Sequence, residues 1–92
     1  MALSLDRSLD SVRGEVERAS IRWADFSCTH EALGVLFEEF HELTEAIREN
    51  KLGTISHEAL QVSAVALRLH DVCERALAGD ADGFKERSGC SK

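Results

Sequence analysis

The chain has no proline and only six glycines in 92 residues. Little in it breaks a helix, because proline removes a backbone donor and glycine adds backbone freedom. Aromatic residues are scarce at 5%, and Leu, Ala and Val dominate the hydrophobic 43%. A β-sandwich draws on more β-branched and aromatic residues, so the composition favours a helical bundle. No apolar run approaches the length of a membrane span. The first nine residues already carry Asp6 and Arg7, which argues against a secretory leader. The three cysteines, Cys28, Cys73 and Cys90, have no framework spacing. The expectation is reduced thiols in a cytoplasmic protein.

Basic residues are also in short supply, 11 against 17 acidic ones, for a net charge of −6. An acidic chain is poorly suited to the phosphate backbone of nucleic acid or to a polybasic membrane anchor. No nucleic acid and no membrane is expected as a partner. A metal ion is what reconciles an acidic pocket with an anionic substrate. At this length one domain spanning residues 1–92 is expected. A chain so short buries a modest fraction of its surface, so completion of the core by a homo-oligomer, dimer or tetramer, is expected too.

What is present is helical periodicity, and it predicts an all-α fold of three main helices plus a short C-terminal helical turn. Leu5, Leu9, Val12, Val16, Ala19, Trp23 and Phe26 fall at alternating spacings of four and three, a continuous apolar stripe over about Leu5 to Asp25. Ser27 or Thr29 is suited to cap the next helix, His30 to about Asn50. Its apolar face reads as Leu33, Leu36, Phe37, Phe40, Leu43 and Ile47, with Glu38, Glu42, Glu45 and Glu49 opposite. Gly53 is placed as a left-handed cap after Asn50-Lys51-Leu52. Thr54 or Ser56 would cap the third helix, about Ser56 to Ala78, which Gly79 ends. A turn from about Asp82 to Arg87 would dock through Phe84, and residues 88–92 would fray.

Carboxylates carry the chemistry. Glu39 and Glu42 are three residues apart and so project from neighbouring positions on one helix face. At about 100° per residue, Glu39 falls beside Leu36 and Leu43, at the edge of the apolar stripe. On the third helix the apolar line Val62, Val65, Leu69, Val72 and Ala76 extends back one turn to Glu58, with Gln61 beside it. A carboxylate on a buried line is costly unless it is paired or binds a metal. Two acidic helices facing each other repel, and a divalent cation removes the repulsion. Oxygen-only ligands select a hard ion, magnesium or manganese. The alternative is a solvated acidic face, with Glu58 merely favouring the helix dipole.

The pattern Glu38-Glu39-x-x-Glu42, fifteen residues, then Glu58-x-x-Gln61 resembles the signature of the MazG-like all-α nucleoside triphosphate pyrophosphohydrolases. That family pairs Glu-Glu-x-x-Glu with Glu-x-x-Asp on the next helix. The resemblance covers about residues 23 to 75. It implies a MazG-like helical bundle completed by oligomerisation, with Glu39, Glu42 and Glu58 as magnesium ligands. Gln61 stands where the family has an Asp, bringing a carbonyl but no charge. Glu38 would position or deprotonate a water. The implied reaction cleaves a nucleoside triphosphate between its α- and β-phosphates, releasing monophosphate and pyrophosphate, in nucleotide-pool housecleaning.

Cationic side chains should assist such chemistry. Arg68, seven residues after Gln61, is the first candidate, and Lys51, between the metal helices, the second. Either is otherwise a surface charge. Trp23 would stack a base or fill a core or subunit interface. His30, opening the second helix, would reach a phosphate or carboxylate, or stand in solvent. Cys28, His30, His70 and Cys73 match no standard zinc spacing. There is no glycine-rich phosphate loop and no nucleophile elbow. Two further readings stand beside the enzyme. One is a non-catalytic member that binds nucleotide or metal, or assembles as a helical scaffold, favoured by Gln61. The other is a protein-binding adaptor that uses the stripe of the first helix.

Overall fold

The computed structural model describes residues 2–79 and residue 84, with side chains from residue 5 onward. It contains α1 (Ala2–Arg22), α2 (Thr29–Glu49) and α3 (Leu52–Leu77), and no strand among the described residues. The all-α expectation holds. None of these helices is long and apolar enough to cross a membrane. The expected Asp82–Arg87 turn and the frayed tail lie outside the described residues, apart from Phe84, which packs half-buried against the core.

The ends of the helices differ from the expectation in instructive ways. Asn50, not Gly53, is the left-handed residue after α2, with φ 56°. Its N–H donates to the carbonyls of Ala46 and Ile47, both at 3.0 Å. Asparagine tolerates this conformation because its short polar side chain offsets the strain. Gly53, Thr54 and Ser56 therefore lie inside α3, which starts a turn early behind Lys51. Neither α2 nor α3 has a side-chain cap hydrogen bond at its N-cap residue, Cys28 or Lys51. Instead Glu31, in the first turn of α2, reaches back to Ser27, accepting from its backbone N–H at 2.6 Å and its hydroxyl at 3.1 Å. This is the reach of a capping-box glutamate, made one residue further upstream. Gly79 ends α3 as expected, with φ 85°.

α3 is the central element. Both α1 and α2 pack against it, and among the described residues they do not approach each other. The buried cluster is Phe26, Ala32, Val65 and Val72, with Val35, Leu36, Leu69 and Phe84 against it. The α3 line is as expected: Val65 and Val72 are buried, and Val62, Leu69 and Ala76 are half-buried. On α2 the expected face holds only for Leu36 and Leu43. The side turned to α3 is Ala32, Val35, Leu36, Glu39, Leu43 and Ala46, while Leu33, Phe37, Phe40 and Ile47 are 55–70% exposed. Small alanines let two helix backbones come close, and the larger side chains then fall outside the contact.

α3 also holds the α1–α2 connection. The Arg75 guanidinium donates to both carboxylate oxygens of Asp25 at 2.9 Å and to Asp71 at 3.0 Å. Arg68 lies 4.7 Å over the Phe26 ring and donates to the Ala24 carbonyl at 3.3 Å. Cys28 is buried, Cys73 is a free thiol, and Cys90 lies outside the described residues.

Candidate metal centre

The burial of α2 decides the site. Rotation by 100° per residue sets Glu39 between Ala32 and Ala46, at the middle of the face turned to α3 rather than at a stripe edge. On α3, Glu58 continues the Val65–Val72 line by two turns towards the N-terminus, so it meets Glu39 from the other side. Glu42, one turn along α2 and exposed, closes the group. One carboxylate oxygen from each of Glu39, Glu42 and Glu58 lies within 4.8 Å of the other two.

Three acidic groups so close repel unless something neutralises them. Glu39 shows the effect: its carboxyl is held above the ordinary glutamate range. Burial is the main cause, followed by the charges of Glu42, Glu58 and Glu38 and a hydrogen bond with Glu42. Glu39 Oε1 and Glu58 Oε1 are both buried and have no hydrogen-bond partner. Buried acceptors are normally satisfied, and leaving one unsatisfied costs about 1–3 kcal/mol. An oxygen-rich, anionic site with two orphaned oxygens fits a hard divalent cation. The donors alone do not distinguish magnesium from manganese.

Because α1 and α2 both lean on α3 and not on each other, a groove remains between them. It forms a cavity of about 650 Å³ floored by Ala64 and Val65. Glu38, Glu39, Gln61, Arg68 and Trp23, all singled out from the sequence, line it together. Its volume suits a small-molecule ligand. His30 and Lys51 are exposed and do not line it.

The α1 wall was not anticipated. Glu15, Arg18 and Arg22 face the cavity, and their three- and four-residue spacing around buried Ala19 is the signal that marks one face. Arg18 donates to Glu15 at 2.6 Å. The Glu15 carboxyl is held below the ordinary range, by Arg18 first and by the neighbouring Gln61 side chain second. Trp23 is 58% exposed and carries the Arg22 guanidinium 5.0 Å from its ring centroid, so it is not the core residue that its place on the α1 stripe suggested.

No family model, no curated protein and no solved structure matches the chain.

Proposed function

We propose that this chain is a divalent-cation-dependent nucleoside triphosphate pyrophosphohydrolase of the MazG-like kind. The observation that carries the reading is the convergence of Glu39, Glu42 and Glu58, two of them with a buried, unpartnered oxygen; Glu39 also lines a cavity that carries arginines and an exposed tryptophan, whereas Glu42 and Glu58 do not line it.

Glu39, Glu42 and Glu58 would hold the cation, with the Gln61 carbonyl as a neutral fourth donor. When bound, magnesium or manganese supplies neutralisation of phosphate charge and polarisation of a water. Glu38, on the cavity wall and exposed, accepts the proton of the attacking water. Water oxygen bonds to the α-phosphorus, the bond to the bridging oxygen breaks, and pyrophosphate leaves with that electron pair. Arg68 offsets the charge that develops on the phosphates. The Trp23 ring offers a face on which a base stacks. Lys51 and His30 do not line the cavity and keep a peripheral part in substrate binding.

The test is pyrophosphate release from a broad panel of ribo- and deoxyribonucleoside triphosphates with magnesium or manganese. Turnover that needs the cation and falls at least a hundredfold in Glu58→Gln is expected. No release above background from any substrate overturns the enzymatic reading. The second reading, binding of nucleotide or metal without turnover, is favoured by Gln61, the one uncharged corner of the site. Calorimetric binding of a nucleotide in the absence of hydrolysis would select it.

A further inference from the structure

Arg18, Arg22 and Arg68 line the cavity, and they stand at different ends of it. Arg22 is the last residue of α1 and lies over Trp23. Arg68 lies over the Phe26 ring and donates to the Ala24 carbonyl. Both therefore belong to the end where α1 leaves for α2. The Arg18 side chain instead points back along its helix, as helical side chains do. Its Nη1 stands over Gly14, 3.6 Å from the place a Cβ would take there, and its Nη2 donates to Glu15 at 2.6 Å. The Gln61 side chain neighbours that Glu15 carboxyl, and Gln61 is one turn along α3 from Glu58. α1 and α3 run the same way, since Glu15 lies beside Gln61 and Ala24 beside Arg68. Arg18 thus stands at the carboxylate end of the groove. Arg68, seven residues beyond Gln61, is roughly 10 Å further along.

We propose that Arg18 receives the outermost phosphates of the substrate, the part that leaves as pyrophosphate, and that Glu15 is a positioning residue that holds Arg18 ready for them. The proposal deepens the pyrophosphohydrolase reading and rests on it for the identity of the anion. Position is the first support. A nucleotide laid along the groove with its base at Trp23 passes Arg68 first and brings its terminal phosphates to Arg18 and the metal carboxylates. Arg68 then serves the nucleoside side of the scissile bond and Arg18 the leaving side.

Availability is the second support. The Arg18 side chain is 66% exposed, and its pair with Glu15 spans three residues on one helix. Such exposed pairs contribute little to stability. A guanidinium on a phosphate makes charge-assisted, often bidentate hydrogen bonds. A polyphosphate therefore outcompetes the single Glu15 carboxylate, and Arg18 changes partner without disturbing the core. Charge is the third support. Glu15, Glu38 and Glu39 line the carboxylate end, with Glu42 and Glu58 beside Glu39. A polyphosphate adds negative charge there, and among the described residues Arg18 is the basic side chain that lines the cavity at this end.

Arg18→Gln and Glu15→Gln break the same ion pair, so a purely structural role predicts the same change from each. The proposal predicts opposite signs. Calorimetry with inorganic tripolyphosphate and magnesium on the full chain reads them without turnover. Arg18→Gln should weaken binding about tenfold or more, the size of a hydrogen bond to a charged group, and Arg18→Lys should restore part of it. Glu15→Gln should tighten binding about two- to fivefold, the size of an exposed ion pair. Glutamine is a good helix former, so helical circular dichroism should stay the same in both. No binding by the native chain, a change of the same sign in both variants, or no change in either overturns the proposal. Product inhibition gives a second readout. Inhibition by pyrophosphate should weaken about tenfold in Arg18→Gln, by the same contact, while inhibition by nucleoside monophosphate is unchanged. Equal weakening of the two overturns the assignment to the leaving side. The two readings fail separately. Opposite shifts with tripolyphosphate in a protein that hydrolyses no nucleotide support Arg18 and overturn the enzymatic reading alone. Cation-dependent turnover that Arg18→Gln leaves untouched overturns this proposal alone.

Discussion

Glu39 on α2 and Glu58 on α3 each turn a buried, unpartnered carboxylate oxygen into the same small space. Neither helix by itself strands an acidic group. The packing of α2 on α3 does, and the metal-free protein bears the cost.

Replacing Glu39 by Gln is therefore expected to stabilise the metal-free protein at neutral pH. The folded Glu39 carboxyl titrates above its unfolded value of 4.5. Between those two values the folded state binds the extra proton, so stability falls as pH rises through that window and stays low above it. Glu39→Gln should raise Tm by roughly 2–4 °C at pH 7 in chelator, after discounting for solvent screening. It should also flatten the decline between pH 4.5 and neutrality. Melts across that range are the measurement, and an unchanged or lower Tm at pH 7 would contradict the strain.

Divalent cation should act in the opposite sense on the native sequence. A ligand bound only to the folded state adds about 2.7 kcal/mol at a hundredfold excess over Kd. Magnesium or manganese should raise Tm in the native chain, and Glu42→Gln or Glu58→Gln should lose most of that gain. Equal gains in all three proteins would point to non-specific screening.

Changing Gln61 to Asp should pull stability and affinity apart. The new carboxylate would stand near that of Glu15, whose charge Gln61 now favours, so the metal-free protein should melt lower. If the carbonyl of Gln61 belongs to the coordination shell, the added charge should tighten magnesium binding about tenfold or more. Calorimetry decides it: an unchanged titration takes position 61 out of the metal centre.

The latch between Arg75 and Asp25 should govern acid sensitivity at the α1–α2 connection. The Arg75 guanidinium holds the Asp25 carboxyl below its ordinary value of 3.8. Its contribution is thus present above about pH 3.8 and is lost as pH falls from there through the folded value. Asp25→Asn should lower stability at pH 7 and remove that part of the acid limb. Both groups are well exposed, so the difference should shrink in high salt. Urea titrations at pH 7 and pH 3, each at two ionic strengths, measure it.

Trp23→Ala separates binding from stability. Its ring is mostly exposed, so Tm should hardly move. If a base stacks there, KM for nucleotide should rise about tenfold, matching the 1–3 kcal/mol of such a contact, with kcat little changed. A fall in kcat at constant KM would place Trp23 elsewhere in the reaction.

The sequence by itself determined the helical class, the number of helices and the carboxylate set. The missing prolines and the three-four spacing require only local geometry, and Glu39, Glu42 and Glu58 stand out because a buried helix line runs through Glu58. The tertiary structure alone decided which face of α2 is inside. Periodicity ranks side chains by hydrophobicity, so it chose Leu33, Phe37, Phe40 and Ile47 together with Leu36 and Leu43, of which only the last two turn to α3. Close packing ranks them by size, and α3 accepted Ala32 and Ala46 instead. That rotation moved Glu39 from a stripe edge to the middle of the helix contact and left the large side chains facing outward. That the Glu15–Arg18 side of α1 faces Glu39 and Gln61 across one groove was equally out of reach. The groove forms because α1 and α2 both pack on α3, and no local spacing reports that.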